Sequence, residues 1–463
     1  MQKTICLFLS LLLAGCLTGC GFKSGEELYA LPQASAEYDS LQSCLQTVLK
    51  EGLEYAAPLT GSNTQSVQLI DLDSDGRDEA IAFFRDSSDQ SQSLKIYIFR
   101  ELEEHTYAPV LTIEGNGTAI NSVVTCQLEG GSGSMYELMV SWQLSTTVYS
   151  LSAYSLDNYV LDEMMSGLTY TKYAVEDMDR DGDDEIVVLQ LDSSDQSHNR
   201  AEYYAAKDGA LALQDTVPLS DRMGAVDKIH NSTLPGKLPA LYVTGYELDR
   251  DGEISSSVVI TDVLALRGSK LVNISMDADG KDSSTTVRAN LVPDQDINND
   301  GVLEIPSPTP LPGYNGKRNE NSSFQDSFYA LRWQQFRLSG NRQIICSTFH
   351  NTADGWYLTL PKQWDGLISL ARDDTSTSLT VERSIVFYYQ PSAEGKAKPF
   401  LTIYKNSGSD RQSRSEQGDR FLLLSDPDTI YSAEFHDCGW DCGLNRTTLA
   451  ERFHLIRTDW MNG

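Results

Sequence analysis

Positive charge is scarce in this chain of 463 residues, where 36 Lys and Arg stand against 66 Asp and Glu for a formal net charge of −30. That balance argues against nucleic acid as a partner and against binding to bare anionic lipid by charge, since both need clustered cations. Long apolar runs are missing too; the N-terminal one, Ile5 to Leu17, is too short to span a bilayer. There is no G-x-S-x-G elbow, H-E-x-x-H helix or phosphate-binding glycine loop, and the six histidines (His105, His198, His230, His350, His436, His454) are scattered. Catalysis therefore has no local signature, although paired acids for glycan hydrolysis stay open in so acidic a chain. Cysteine gives no disulfide framework. Beyond the leader, Cys44, Cys126, Cys346, Cys438 and Cys442 form an odd set without regular spacing. Cys438-Gly-Trp-Asp-Cys442 has His436 and His454 nearby but no second ligand pair at zinc spacing, so a local disulfide or two unpaired thiols is the simpler reading.

What the chain does have is acid in a fixed format. Asp71 to Glu79 reads D-L-D-S-D-G-R-D-E, Asp177 to Glu185 reads D-M-D-R-D-G-D-D-E, and Asp296 to Glu304 reads D-I-N-N-D-G-V-L-E. A weaker copy, E-L-D-R-D-G-E-I-S, runs from Glu247 to Ser255. Carboxylates on alternate residues repel one another unless a cation sits between them, and hard oxygen ligands on a flexible loop suit Ca²⁺. The EF-hand is excluded, because position 12 of each loop holds Ala82, Val188, Val258 or Ser307 where that motif needs a bidentate Glu. The flanks, such as Ala80-Ile-Ala-Phe-Phe and Ile186-Val-Val-Leu-Gln-Leu, are β-branched and aromatic runs that read as strands.

Strand, acidic loop and strand together resemble the FG-GAP or VCBS type of repeat of calcium-binding β-propellers. The resemblance implies one Ca²⁺ per loop, held by the side chains at positions 1, 3, 5 and 9 and the carbonyl at position 7. Carried onto this chain, it gives Asp71, Asp73, Asp75, Arg77 (by carbonyl) and Glu79. The second set is Asp177, Asp179, Asp181, Asp183 (by carbonyl) and Glu185; the last is Asp296, Asn298, Asp300, Val302 (by carbonyl) and Glu304. The copy with Glu247, Asp249 and Asp251 departs from the pattern at both ends, which implies a weak site or none.

Read in order, the chain opens on a basic Met1-Gln-Lys-Thr and the apolar run, leading into Leu17-Thr-Gly-Cys20-Gly. This resembles a bacterial lipoprotein signal, with residues 1–19 removed and Cys20 lipidated; Cys16 fits the same box, and a plain secreted protein is the alternative. A tether over 20–35 precedes an amphipathic helix over 36–57, with Tyr38, Leu41, Cys44, Leu45, Val48, Leu49 and Leu53 at helical spacing. Residues 58–350 form the repeat region. The first two acidic loops start 106 residues apart (71 to 177) and the last two 49 apart (247 to 296), so one unit lacks its signature. Ser122 to Glu129, Gly130-Gly-Ser-Gly and Tyr136 to Trp142 fill that gap as a blade whose loop has lost its acids. A β-propeller of about five blades is expected, with a solenoid or a sandwich pair as alternatives. The proline-rich stretch from Pro306 is either a linker or an excursion within the last blade. Residues 351–463 are expected to be a small α+β domain, with a helix from Thr447 to Arg457 capped by Thr447 or Thr448. Five of six tryptophans (Trp333, Trp356, Trp364, Trp440, Trp460) fall late in the chain, as core or as a sugar- or peptide-stacking face.

The functional expectation is a monomeric lipoprotein outside the cytoplasm, held to the membrane by its N-terminal lipid. Its calcium-stiffened propeller would bind a protein or a cell-wall carbohydrate. An extracytoplasmic enzyme acting on glycans is the alternative.

Overall fold

The computed structural model describes residues 38–456 apart from 90–92, 104–105, 131–134, 250, 290–291, 313–327, 377–379 and 393–394. The leader, Cys16, Cys20, the tether and Trp460 lie outside the described residues. The chain is mainly β, built from antiparallel sheets in which successive strands pair with their neighbours.

Helix α1 (Asp39–Lys50) buries Leu41, Leu45 and Val48, one face of a 3.6-residue period. It is shorter than the sequence suggests. Gly52 takes φ +97°, a left-handed turn that ends the helix, and Glu54–Tyr55 continues as strand β1. β1 joins β2 (Val67–Ile70), β3 (Glu79–Arg85), β4 (Leu94–Glu103) and β5 (Thr106–Gly115) in the first sheet, where β1 and β2 both pair with β3. The second sheet holds β6 (Ala119–Cys126), β7 (Glu137–Gln143), β8 (Tyr149–Ser155) and β9 (Asp162–Tyr170). The third runs β10 (Lys172–Glu176), β11 (Glu185–Gln190), β12 (Arg200–Lys207), β13 (Ala210–Pro218). The fourth has β14 (Met223–Leu234), β15 (Leu238–Leu248), β16 (Ile254–Arg267) and β17 (Lys270–Asn273), with β18 (Arg288–Ala289) also on β16.

The fifth sheet contains β19 (Ile305–Leu311), β20 (Phe328–Phe336), β21 (Arg342–Asn351) and β22 (Trp356–Leu360). The proline-rich Ile305–Leu311 is thus a strand, at the edge of its ladder, where a residue without an N–H is tolerated. β22, which falls after the expected boundary at 351, pairs with β21. The sixth sheet takes β23 (Ile368–Arg372), β24 (Thr375–Ser376), β25 (Thr380–Tyr389), β26 (Lys398–Gly408), β27 (Phe421–Ser425) and β28 (Thr429–Phe435). Two short helices, α2 (Arg411–Ser415) and α3 (Arg446–Arg452), and a last strand β29 (Phe453–Leu455) on β22 complete the described chain. α3 starts one residue before the expected helix, with Asn445 and Thr448 closing a reciprocal capping box, and it stops five residues early because Phe453 enters β29.

The described chain divides into two compact units, 38–124 with 140–147 and 156–161, and 125–139 with 148–155 and 162–456. In the first, α1 lays its apolar face on Ala80, Ala82, Phe84 and Phe99. β3 is buried along nearly its whole length, which explains its continuous apolar run. In the second, one core collects small aliphatic residues of the third and fourth sheets, including Val187, Leu189, Leu241, Val243 and Ile260. Another is aromatic and packs Phe349, Trp356, Trp364, Phe387, Phe400 and Phe453.

Candidate metal centres

The first two acidic loops join β2 to β3 and β10 to β11, and the third closes on an isolated bridge just before β19. Ile70 pairs with Glu79, Glu176 with Glu185, and Gln295 with Glu304, so position 9 opens the second strand opposite the residue before position 1. Between them the backbone makes the same tight excursion three times. Position 4 is left-handed in all (Ser74 φ +57°, Arg180 +67°, Asn299 +60°), and so is the glycine at position 6 (Gly76 +88°, Gly182 +99°, Gly301 +83°). A side chain at position 6 would be strained by that angle alone, which is why glycine recurs there.

Backbone amides then fix the carboxylates. Position 1 accepts from the glycine amide: Gly76 to Asp71 at 3.0 Å, Gly182 to Asp177 at 3.2 Å, Gly301 to Asp296 at 2.7 Å. The residue at position 3 accepts from the amide of position 5, through Asp73, Asp179 and Asn298. The aspartate at position 5 accepts from position 7, with Arg77, Asp183 and Val302 donating at 2.9 Å to Asp75, Asp181 and Asp300. One oxygen of the position-9 glutamate accepts from the amide of position 2: Leu72 to Glu79 at 2.9 Å, Met178 to Glu185 at 2.8 Å, Ile297 to Glu304 at 2.9 Å. Held this way, oxygens of Asp71, Asp73 and Glu79 lie within 4.8 Å of one another, as do those of Asp177, Asp179 and Glu185, and of Asp296, Asp300 and Glu304.

The electrostatics show what this convergence costs. Burial, with the neighbouring aspartates adding to it, pushes Glu185 up to about 7; burial does the same to Glu304. Glu79 is raised as well, chiefly by burial, against the amide of Leu72 and the hydroxyl of Tyr159. Burial also raises Asp179, helped by Asp181. Asp300 goes the other way, because hydrogen bonds from Asn298, Gln335 and Val302 outweigh its desolvation. An all-oxygen, carboxylate-rich set with raised acids is the chemistry of a hard-cation site, so the residues present fit a calcium-class ion.

The fourth copy does not assemble. Glu247 lies inside β15, buried and paired with Arg222. Asp249 accepts the amides of Asp251 and Glu253 in the hairpin between the second and third strands, the other end of the sheet from a first-to-second loop. Similar letters thus close an ordinary turn there.

The second sheet retains more than its sequence suggests. Glu137 opens β7 and accepts from the amide of Leu128 at 2.7 Å, the bond that Glu79, Glu185 and Glu304 make. It is 5% exposed, and burial lifts it to about 7. This loop presents the glutamate without the alternating aspartates. The visible signal was a glutamate directly before an apolar strand, Glu137-Leu-Met-Val.

Three further neighbours were not legible locally. Arg100 of β4 pairs with Asp73 at 2.9 Å and Asp75 at 3.5 Å, and lies 3.8 Å from Glu79. The Tyr159 hydroxyl donates to Asp73 at 2.8 Å and Glu79 at 2.9 Å. Gln335 of β20 donates to Asp300 at 2.8 Å and Glu304 at 2.6 Å.

Elsewhere, Cys438 and Cys442 are buried free thiols directed at the carbonyls of Trp440 and Leu444, and His436 meets Thr402 at 2.8 Å, so no zinc set forms among the described residues. Trp333, Trp356 and Trp364 are buried core residues, and Trp440 stacks on Tyr389 at 4.4 Å. An open depression of about 540 Å³ lined by Pro361, Lys362, Gln363, Gly443, Leu444 and Arg452 holds no carboxylate, histidine or hydroxyl for acid–base chemistry.

No protein-family model and no curated protein matches the chain. Among solved structures it is similar to a hypothetical selenium-binding protein from Sulfolobus tokodaii, at 8% identity and a TM-score of 0.27, over 72% of this chain and 73% of the other. A likeness at that score bears on neither fold nor function.

Proposed function

We propose that the chain is an extracytoplasmic lipoprotein, anchored through Cys20, whose antiparallel sheets form a calcium-stabilised β-propeller of about five blades. It acts as a binding scaffold for a protein or cell-wall carbohydrate. The observation that carries this reading is the threefold recurrence of one loop geometry, with oxygens of Asp71, Asp73 and Glu79, of Asp177, Asp179 and Glu185, and of Asp296, Asp300 and Glu304 converging within 4.8 Å. These residues would hold the ion, and Ca²⁺ would neutralise the acids that converge in each hairpin, those of the first being already paired with Arg100. β3 and β11, the strands that follow the first two loops, are buried along nearly their whole length, so an ion there would brace the start of a core strand.

Calcium outside the cell is plentiful, so modest sites would be filled. A loop of Kd near ~10⁻⁵ M facing ~1 mM Ca²⁺ gains about 2.7 kcal/mol of stability. Calcium titration of the full chain by calorimetry, beside thermal melting in calcium and in chelator, tests the scaffold reading; no heat and no shift in midpoint would sink it. Metabolic labelling with a palmitate analogue tests the anchor, and labelling that persists in C20A would overturn the assignment to Cys20.

A further inference from the structure

The three loops share a backbone but differ in one facing side chain on the neighbouring strand, β4, β12 or β20. Ala80 pairs with Phe99, Ile186 with Tyr204, and Ile305 with Gln334. One step along each register, the position-9 glutamate therefore faces Arg100 in the first unit, Ala205 in the second and Gln335 in the fifth sheet. Those side chains are a cation, a methyl group and a neutral amide, and in the second unit the Tyr203 hydroxyl, two residues along the same strand, also bonds Glu185. We propose that this residue sets the rank order of the loops for divalent cations, and that Arg100 serves as a built-in counter-ion holding the first loop in a metal-free state. The inference rests on the calcium reading of the loops and extends it.

The geometry around Arg100 supports a resident ion rather than a passing surface pair. Its guanidinium reaches Asp73, Asp75 and Glu79, whereas in the second loop the group bonded to Glu185 is the neutral Tyr203 hydroxyl. Tyr159 covers it, with the guanidinium carbon 4.4 Å from the ring centre and the phenol hydroxyl bonded to Asp73 and Glu79. Tyr159 stands at φ +59° and Asn158 before it at +51°, a pair of left-handed residues where a bulky side chain is rare. A divalent ion could enter only by displacing both groups. Its apparent affinity then falls by the fraction of molecules with the site open, about a hundredfold if that fraction is near one in a hundred. Gln335 is a milder gate, since its amide can turn its oxygen towards a cation. The order of affinity is second loop, then third, then first.

Calorimetric titration of the full chain with CaCl₂ tests this. Wild type should bind two ions, R100M three, and R100K, which keeps the charge, two. A205R should lose one. Equal stoichiometry in wild type and R100M would overturn the proposal, as would three ions in wild type. If wild type binds none and R100M binds one, the calcium reading of the second and third loops fails while the role of Arg100 stands. No binding by either overturns both. A second measurement does not depend on R100M folding. Terbium luminescence sensitised by tyrosine should be unchanged in Y159F on a wild-type background if the first loop is closed, and a loss there would sink the proposal.

Discussion

The acidic-loop sheets and the C-terminal sheet reach burial by opposite means. The sixth sheet and its surroundings bury Trp356, Trp364, Phe387 and Phe400 at 2% exposure or less, and that core contains none of the loop carboxylates. The loop-bearing units place Glu79, Glu185 and Glu304 at 3% exposure or less, at the start of buried strands. Removing a carboxylate from water is unfavourable unless something compensates the charge. One region therefore draws its stability from hydrophobic area, which does not depend on solutes. The other, on the calcium proposal, would depend on what occupies its loops.

That contrast can be broken most forcefully by removing the ion. With the second and third loops filled near 100 times Kd, chelation should cost about 5 kcal/mol, and the double variant D177A/D296A should melt alike in calcium and in chelator. The mirror experiment is W364A, which also orphans the Cys442 carbonyl that accepts the indole N–H at 2.8 Å. It should cost roughly 3–5 kcal/mol, by the same amount with and without calcium. A calcium-dependent penalty in W364A would erase the distinction.

Glu137 sharpens the comparison, because it is a buried loop glutamate in a unit without aspartates. Its carboxyl is raised from 4.5 to about 7 by burial, so folding favours the protonated form. Its contribution is present in full below about pH 4.5 and is lost as pH rises through about 7, roughly 2–3 kcal/mol in all. E137Q should then match wild type near pH 4 and exceed it by that amount at pH 8, read from denaturant midpoints. The smallest effect belongs to N445A in the C-terminal region, which removes the α3 cap and should cost about 1 kcal/mol, independent of calcium and of pH above 5.

Much of this was legible in the sequence. The alternation Asp71, Asp73, Asp75 before Gly76 announces a loop that closes on its own amides, and β-branched flanks announce strands, because both are local relations. Neighbours across strands were not legible. Arg100 lies 27 residues from Asp73 and Tyr159 lies 86, and only pairing brings them there. The copy at Glu247, expected to be a weak site or none, differs from the other three for the same reason. Its letters fit the format, but its place between the second and third strands leaves Glu247 buried in β15 against Arg222 rather than at a loop mouth. Glu137 escaped because its loop is longer and lacks the aspartates that make the format visible.

The bond from the position-2 amide to one glutamate oxygen has a consequence for denticity. With that oxygen already accepting an amide, coordination through the other oxygen alone would be a single-atom grasp, where an EF-hand glutamate uses two. Calcium takes six to eight oxygens, so part of the shell around such an ion would be water. Water in that shell exchanges, and a hydroxyl or carboxylate from outside can take its place. Hairpins braced in this way would turn a Lewis-acidic face to the solvent while they hold the strands together.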